Sequence, residues 1–295
     1  MIALLAVQLV FALFPVIGKQ AFDVFSPGAV AAWRIGAGAV VLGIIALLSY
    51  GADAVPPRAA LPRLALCAFL GVVLNQGLFL EGLARTKVLN TGLIMCVIPV
   101  ATYGIAVLLR QEANDRRRVL GIVIACLGTV PLLIEDGGSI FEGGSLGVVL
   151  VITNGLCYSA YLVLSKPLLK AMPPVVVIAW VYLLSTFALP WFARGNELFP
   201  PLAGNEAGWI RLAFIVAFPT VLAYLWNVYA LKRVRASTVA FFVFLQPMIT
   251  GAAGVMVLGE ELLTTTWVAA AALFVAVWLV VKSRGPRPPA RAEAP

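Results

Sequence analysis

The chain has no histidine, only four cysteines and few charged residues, 12% of 295. Histidine titrates near neutral pH and is the commonest ligand of transition metals, so its absence removes the usual proton shuttle and the usual metal sites. The cysteines, Cys67, Cys96, Cys126 and Cys157, fall one to an apolar run, with no CxxC pair and no loop framework for disulfides. Packing is the role left to them. Glu81 is the only acidic residue placed inside an apolar run, so no pair of carboxylates is available for general acid and base work. These absences exclude most enzyme chemistry, and no cofactor or metal is expected.

What abounds is apolar surface. With 62% hydrophobic residues and a mean hydropathy of +1.02, the chain cannot clothe a water-soluble globule and belongs in a lipid bilayer. A helix rising 1.5 Å per residue needs about 20 apolar residues to cross roughly 30 Å of hydrocarbon. Ten such runs are read, near 2–18, 27–49, 64–84, 88–109, 119–134, 146–164, 175–192, 210–231, 236–258 and 266–281. The first lacks a basic residue ahead of it and a small-residue cleavage site, so it is read as a span and not as a signal peptide.

The net charge of +8 is unevenly spread. Placing both termini on one face of the membrane puts fifteen of the 21 basic residues on that face, among them Arg116, Arg117, Arg118 and Lys166, against five on the other. The positive-inside rule makes that face, and both termini, cytoplasmic at the plasma (inner) membrane. The basic excess therefore reports topology and attraction to anionic lipid, and no nucleic-acid partner is expected.

The chain also repeats itself. Residues 83–112 align without gaps onto 231–260, pairing Leu83 with Leu231, Arg85 with Arg233, Pro99 with Pro247, Thr102 with Thr250, Val107 with Val255 and Glu112 with Glu260. A shift of one residue pairs Pro27 with Pro174 and Trp33 with Trp180. Five spans per half is an odd number, so the second half enters the membrane from the opposite face. The expected architecture is an all-α integral membrane protein of ten transmembrane helices in two inverted five-helix repeats, residues 1–140 and 141–284. A disordered cytoplasmic tail, 285–295, follows. Such frames hold a substrate near the midplane, where the halves meet.

Polar residues in these runs nominate the site. Gln8, Ala12, Pro15 and Lys19 share one helical face of the first run, and Asn154, Tyr158, Tyr161 and Ser165 share the equivalent face of the sixth. Polar groups facing lipid tails are costly, so both faces turn inward, to bond neighbouring helices or to line a wet cavity. Arg34, beside Trp33, lies roughly 10 Å below the outer surface at 1.5 Å per residue. Glu81 sits within reach in the third run, and the expected pairing serves either as a helix lock or as a substrate-anchoring or gating charge. The second half has Val181 and Tyr229 at these places.

Pro99 and Pro247 should kink their helices, with Gln246 beside the second. Trp180, Tyr224 and Asn227 lie deeper than the interfacial Trp191 and Trp209. The candidate substrate-binding set is thus Gln8, Trp33, Arg34, Glu81, Asn154, Tyr158, Trp180, Tyr224, Asn227 and Gln246. Glu112 and Glu260 are expected to satisfy turn or helix-end donors.

With its paired blocks LLRQE (108–112) and VMVLGEE (255–261), a proline in each preceding helix and an arginine in the second span, the chain resembles the drug/metabolite transporter superfamily, in its EamA-type ten-helix branch. The resemblance implies a monomer-sized unit with a central cavity formed mainly by spans 1, 3, 4, 6, 8 and 9, moving amino acids or other metabolites outward. Gln111-Glu112 stands where the second copy has Gly259-Glu260, which leaves the geometry of the first turn open.

The leading expectation is a secondary transporter that exports a small organic solute, an amino acid or related metabolite, by alternating access, acting as a monomer or homodimer in the lipid bilayer. Protons are the candidate coupling ion, with Glu81 as carrier. The rivals are an intramembrane lipid-modifying enzyme, against which the lack of histidine, of paired acids in the spans and of metal-ligand spacing argues, and a structural membrane protein without an accessible cavity.

Overall fold

The computed structural model describes residues 2–86, 88–135 and 145–247, with scattered positions from 249 to 279. Expectations for the linker 137–144, Thr250, Val255, Glu260, the far half of the ninth run, most of the tenth and the tail fall outside the described residues. Among those described, every regular element is helical and there are no strands. The helices are α1 (Ile2–Ala21), α2 (Pro27–Tyr50), α3 (Arg58–Arg85), α4 in two pieces (Val88–Ile94 and Val97–Leu108), α5 (Arg116–Glu135), α6 (Ser145–Ala171), α7 (Pro174–Ala193), α8 (Glu206–Arg233) and α9 (Ala236–Leu245). Of these, α1, α2, α3, α6, α7 and α8 are long and apolar enough to cross a membrane. The protein is a multi-pass membrane protein.

Local chemistry sets where helices begin and bend. Ser26 starts α2, its Oγ accepting from Ala29 N at 3.2 Å while Pro27 opens the first turn, and Gly51, at φ 53°, ends it. In α4, Pro99 has no N–H for Met95 O, which accepts from Ile98 N at 3.0 Å, and the helix breaks at Met95–Cys96. In α9, Pro247 leaves Val243 O in the same position; Gln246 N serves it, and the turn Phe242–Leu245 tightens.

Two further distortions have no counterpart in the sequence reading. At mid-length α3 and α8 each widen, over Phe69–Leu74 and Val216–Leu222. In α8 the cause is Pro219, which cannot donate to Ile215 O; Thr220 Oγ1 donates to that oxygen instead, at 2.8 Å. In α3, Gly71 O lies in the widened turn and accepts from Tyr224 Oη at 3.2 Å.

The helices are apolar on most sides, so small residues and polar bonds decide which faces meet. Val40, Val41, Ile44, Leu47 and Leu48 of α2 are exposed toward the surrounding lipid, while Arg34, Ile35 and Leu42 are buried. A Cβ added at Gly71 would stand 2.4 Å from Cδ2 of the buried Tyr161, so α3 and α6 pack this closely only because that position is glycine. The main contacts run α2 to α7, α3 to α6, α1 to α8, α4 to α6, α4 to α9 and α3 to α7.

Side-chain bonds brace the two ends of the bundle. Trp33 Nε1 donates to Leu198 O (2.8 Å), in the segment after α7, and Trp180 Nε1 donates to Ala54 O (2.7 Å), in the segment after α2. Lys19 Nζ, on α1, reaches Ala84 O at 3.4 Å at the end of α3. Lys166 Nζ, on α6, donates to Leu231 O and Val234 O at the end of α8. The last carbonyls of a helix lack backbone partners, and an ammonium at that end is favoured twice, as donor and as charge.

Candidate functional site

Seven of the ten nominated side chains converge on one cavity in the middle of the bundle: Gln8, Arg34, Asn154, Tyr158, Tyr224, Asn227 and Gln246. The space open to the centres of water molecules is about 70 Å³, several times the roughly 10–15 Å³ that one water needs. Walls come from α1, α2, α3, α4, α6, α8 and α9. Apolar cover is given by Phe11, Phe14, Phe79, Met95, Ile98 and Leu162, among others.

The polar groups are held by each other and by backbone freed at the helix distortions. Gln246 Nε2 donates to Gln8 Oε1 (2.8 Å), joining α9 to α1. Asn154 Nδ2 donates to Asn75 O (2.6 Å), and Tyr224 Oη donates to Asn75 Oδ1 (3.0 Å), so α6 and α8 both anchor on α3 just past its widened turn. Asn227 Nδ2 donates to Tyr158 Oη (2.6 Å). Its Oδ1 is buried and has no partner among the described residues. Tyr224 is further fixed by edge-on contacts with Phe11 and Tyr182.

Arg34 is 3% exposed. Its Nε donates to Thr220 Oγ1 at 2.9 Å, and its guanidinium lies 4.4 Å from the centre of the Phe14 ring. Thr220, fixed by its own bond to Ile215 O, is positioned by the widened turn that Pro219 imposes. One proline thus sets the depth of the charge.

The expected Arg34–Glu81 pairing is not formed. Glu81 binds Arg85, four residues along α3, with its side chain 41% exposed, while Arg34 is buried. Trp33 and Trp180 also lie outside the cavity, as braces to Leu198 O and Ala54 O. Both tryptophans are half-buried, and loop carbonyls supply the acceptor that an indole N–H taken from water needs. Ser165 and Tyr161, on the nominated face of α6, are buried in packing and do not line the cavity.

Asn75, Gln76 and Thr220 have no role in the sequence expectation, and Tyr182 appears there only as one of the aromatic residues of the seventh span. Gln76, fully buried, donates to Tyr182 Oη at 3.0 Å, tying α3 to α7. Two adjacent amides in the centre of an apolar run were the available signal, at Asn75-Gln76, and Pro219-Thr220 was the second.

A second polar cluster closes one end of the bundle. Glu112, just past α4, pairs with Arg118 at the start of α5 and accepts from Ser237 N (3.1 Å) and Ser237 Oγ in the first turn of α9. Glu112 therefore satisfies helix-end donors. The α4 terminus is closed by Gln111 N and Glu112 N on Ala106 O (2.8 and 3.1 Å) and Arg110 N on Val107 O (2.9 Å). The left-handed residue of this turn is Arg110, at φ 54°, so position 111 has no need of glycine.

The described Cys67 and Cys157 are free. Among the described residues no cluster of metal-ligating side chains occurs.

The family model described as "EamA-like transporter family" matches residues 1–134 and 145–282. The chain is 28% identical over 242 residues to the Bacillus subtilis "Uncharacterized transporter YyaM", covering 79% of this chain and 78% of that one. It is 26% identical over 202 residues to an "Uncharacterized transporter" of Archaeoglobus fulgidus, covering 68% of each. A more distant relative is the Arabidopsis thaliana "WAT1-related protein At3g53210", 22% identical over 250 residues, covering 74% and 67%. A solved crystal structure superposes with a TM-score of 0.74 at 16% identity over 95% of each chain, a likeness of fold alone.

Proposed function

Because the chain belongs to the EamA-like transporter family and is a transporter and not an enzyme, we propose that it is a secondary carrier that moves a small organic solute through the central cavity by alternating access. The observation that carries this reading is the cavity itself: a mid-bundle space walled from both halves, with bonded amides, tyrosines and one guanidinium along an apolar lining. The solute site is Gln8, Arg34, Asn154, Tyr158, Tyr224, Asn227 and Gln246, joined by Asn75. Resemblance supports export, across the inner membrane, of a metabolite from the class of amino acids and their relatives, and charge distribution supports cytoplasmic termini; within that class the cavity's charge favours an acid without an amine.

We read the chain as two inverted five-helix halves, 1–140 and 141–284, with ten spans in all. Pairs of features separated by 147 or 148 residues support it. The 28-residue helices Arg58–Arg85 and Glu206–Arg233 are 148 apart and widen at equivalent turns. Trp33 and Trp180 each brace the loop that follows the other's helix. Lys19 and Lys166 each cap the helix end of their own half. The contacts α3 to α6 and α8 to α1 exchange under the same shift, and α4 meets α9. A twofold relation of this kind leaves one cavity that rocking can open to either side.

Protons as coupling ion rested on Glu81, whose exposed pairing with Arg85 lies outside the cavity; the carrier reading stands without it. The test is a solute panel scored by thermal stabilisation of the purified chain, with hits carried to flux in liposomes. Flux of a stabilising solute, slowed more by Arg34→Ala than by Lys19→Ala, is expected. If no solute crosses, the carrier reading falls. Reporter fusions beside Glu112 and Glu260 should report opposite faces, and one shared face would end the inverted reading.

A further inference from the structure

The charge balance of the cavity bears on which solute it takes. Among the described lining residues Arg34 is the only charged side chain. Its Nε is occupied by Thr220 and its flat face by Phe14. Among the described residues the two Nη groups donate to no acceptor and no carboxylate pairs with Arg34. A buried cation without a counter-ion is costly, and a ligand bearing the opposite charge removes that cost.

Taking the cavity as the solute site, on which this step rests, we infer that the solute is an organic monocarboxylate carrying no ammonium group, its carboxylate bound by Arg34. A guanidinium with both Nη groups open matches the two oxygens of a carboxylate in a parallel pair of hydrogen bonds. One negative charge brings the cavity to neutrality. A dianion overshoots, and a zwitterion leaves an ammonium facing a lining whose described residues include no acid. Phe11, Phe14, Phe79 and Met95 suit an apolar body.

The far end of the solute is also defined. Asn227 Oδ1 is buried and, among the described residues, unpartnered, so it can accept from a neutral donor such as a hydroxyl or an amide N–H. It stands seven residues beyond Thr220 on α8, about 10 Å along the axis at 1.5 Å per residue.

The test uses four probes with one isobutyl body: 4-methylpentanoate, 4-methylpentanamide, leucine and 3-methylbutylamine. The purified full chain should be stabilised thermally by 4-methylpentanoate, and not by the amide, leucine or the amine. Arg34→Gln should weaken the carboxylate at least about 30-fold, the loss expected when one partner of a buried charge pair is removed, and Arg34→Lys should restore part of it. In liposomes, carboxylate uptake should speed up under an inside-positive potential, since the solute carries its charge across.

Equal stabilisation by the amide, or equal or better stabilisation by leucine or the amine, overturns the inference. The amide comparison is made on the unaltered chain, so a misfolded Arg34→Gln does not blunt it. If none of the four acts while other solutes stabilise and cross, the monocarboxylate inference fails and the carrier reading survives. If no solute of any class crosses, the carrier reading itself fails.

Discussion

Replacing Glu112 with alanine should loosen the junction where α4, α5 and α9 meet. The carboxylate is 4% exposed and faces an Arg118 side chain that is 5% exposed, so neither charge is well solvated. Removing one partner of a buried pair costs about 3–5 kcal/mol, most of it from stranding the other charge. The Ser237 N–H at the start of α9 loses its acceptor as well. At about 2–4 °C per kcal/mol for chains of comparable size, the apparent melting temperature in detergent should fall by roughly 6–20 °C. Glu112→Gln retains an acceptor for Ser237 N and should fall between. Arg118→Ala combined with Glu112→Ala should be far less harmful than the sum of the two single changes, because the charges then disappear together. A fall under about 2 °C, or strict additivity, would show that the cluster is solvated and does not hold the helix ends.

Gly71→Ala should destabilise by about 1–3 kcal/mol, since the new Cβ would stand 2.4 Å from Tyr161 Cδ2; Tyr161→Leu in the same chain should recover part of this, and an unaffected melting temperature would mean that α3 and α6 stand farther apart. Trp180→Phe removes the donor to Ala54 O and should cost about 0.5–1.5 kcal/mol while leaving the affinity for any stabilising solute unchanged. A changed affinity would bring Trp180 back into the site. Glu81→Gln should leave flux driven by a pH gradient intact, because Glu81 is exposed beside Arg85; loss of that flux would restore it as a coupling group.

Membrane residence, the described helices and most of the polar residues that meet in the cavity are legible in the chain. Composition alone puts a chain that is 62% hydrophobic into lipid, and a polar side chain within an apolar run must face protein or water. Gln8, Asn154, Tyr158, Tyr224, Asn227 and Gln246 follow from that rule with no knowledge of their neighbours.

Direction around a helix was not legible. In a soluble helix the apolar stripe marks the buried face, but these helices are apolar nearly all round, so periodicity cannot orient them. Position along the run alone therefore puts Glu81 within reach of Arg34, whereas the fold pairs it with Arg85, and depth alone puts Trp33 and Trp180 in a cavity, whereas they brace loops. Asn75 and Thr220 gained their roles only where the chain was folded, beside the widened turns of α3 and α8. The amino acids determined which groups must be hidden from lipid. Packing decided which of them hide against each other and which face the space between, because rotation and depth of each helix are set by its neighbours: by a glycine that admits a tyrosine ring, and by a proline that frees a carbonyl for Thr220.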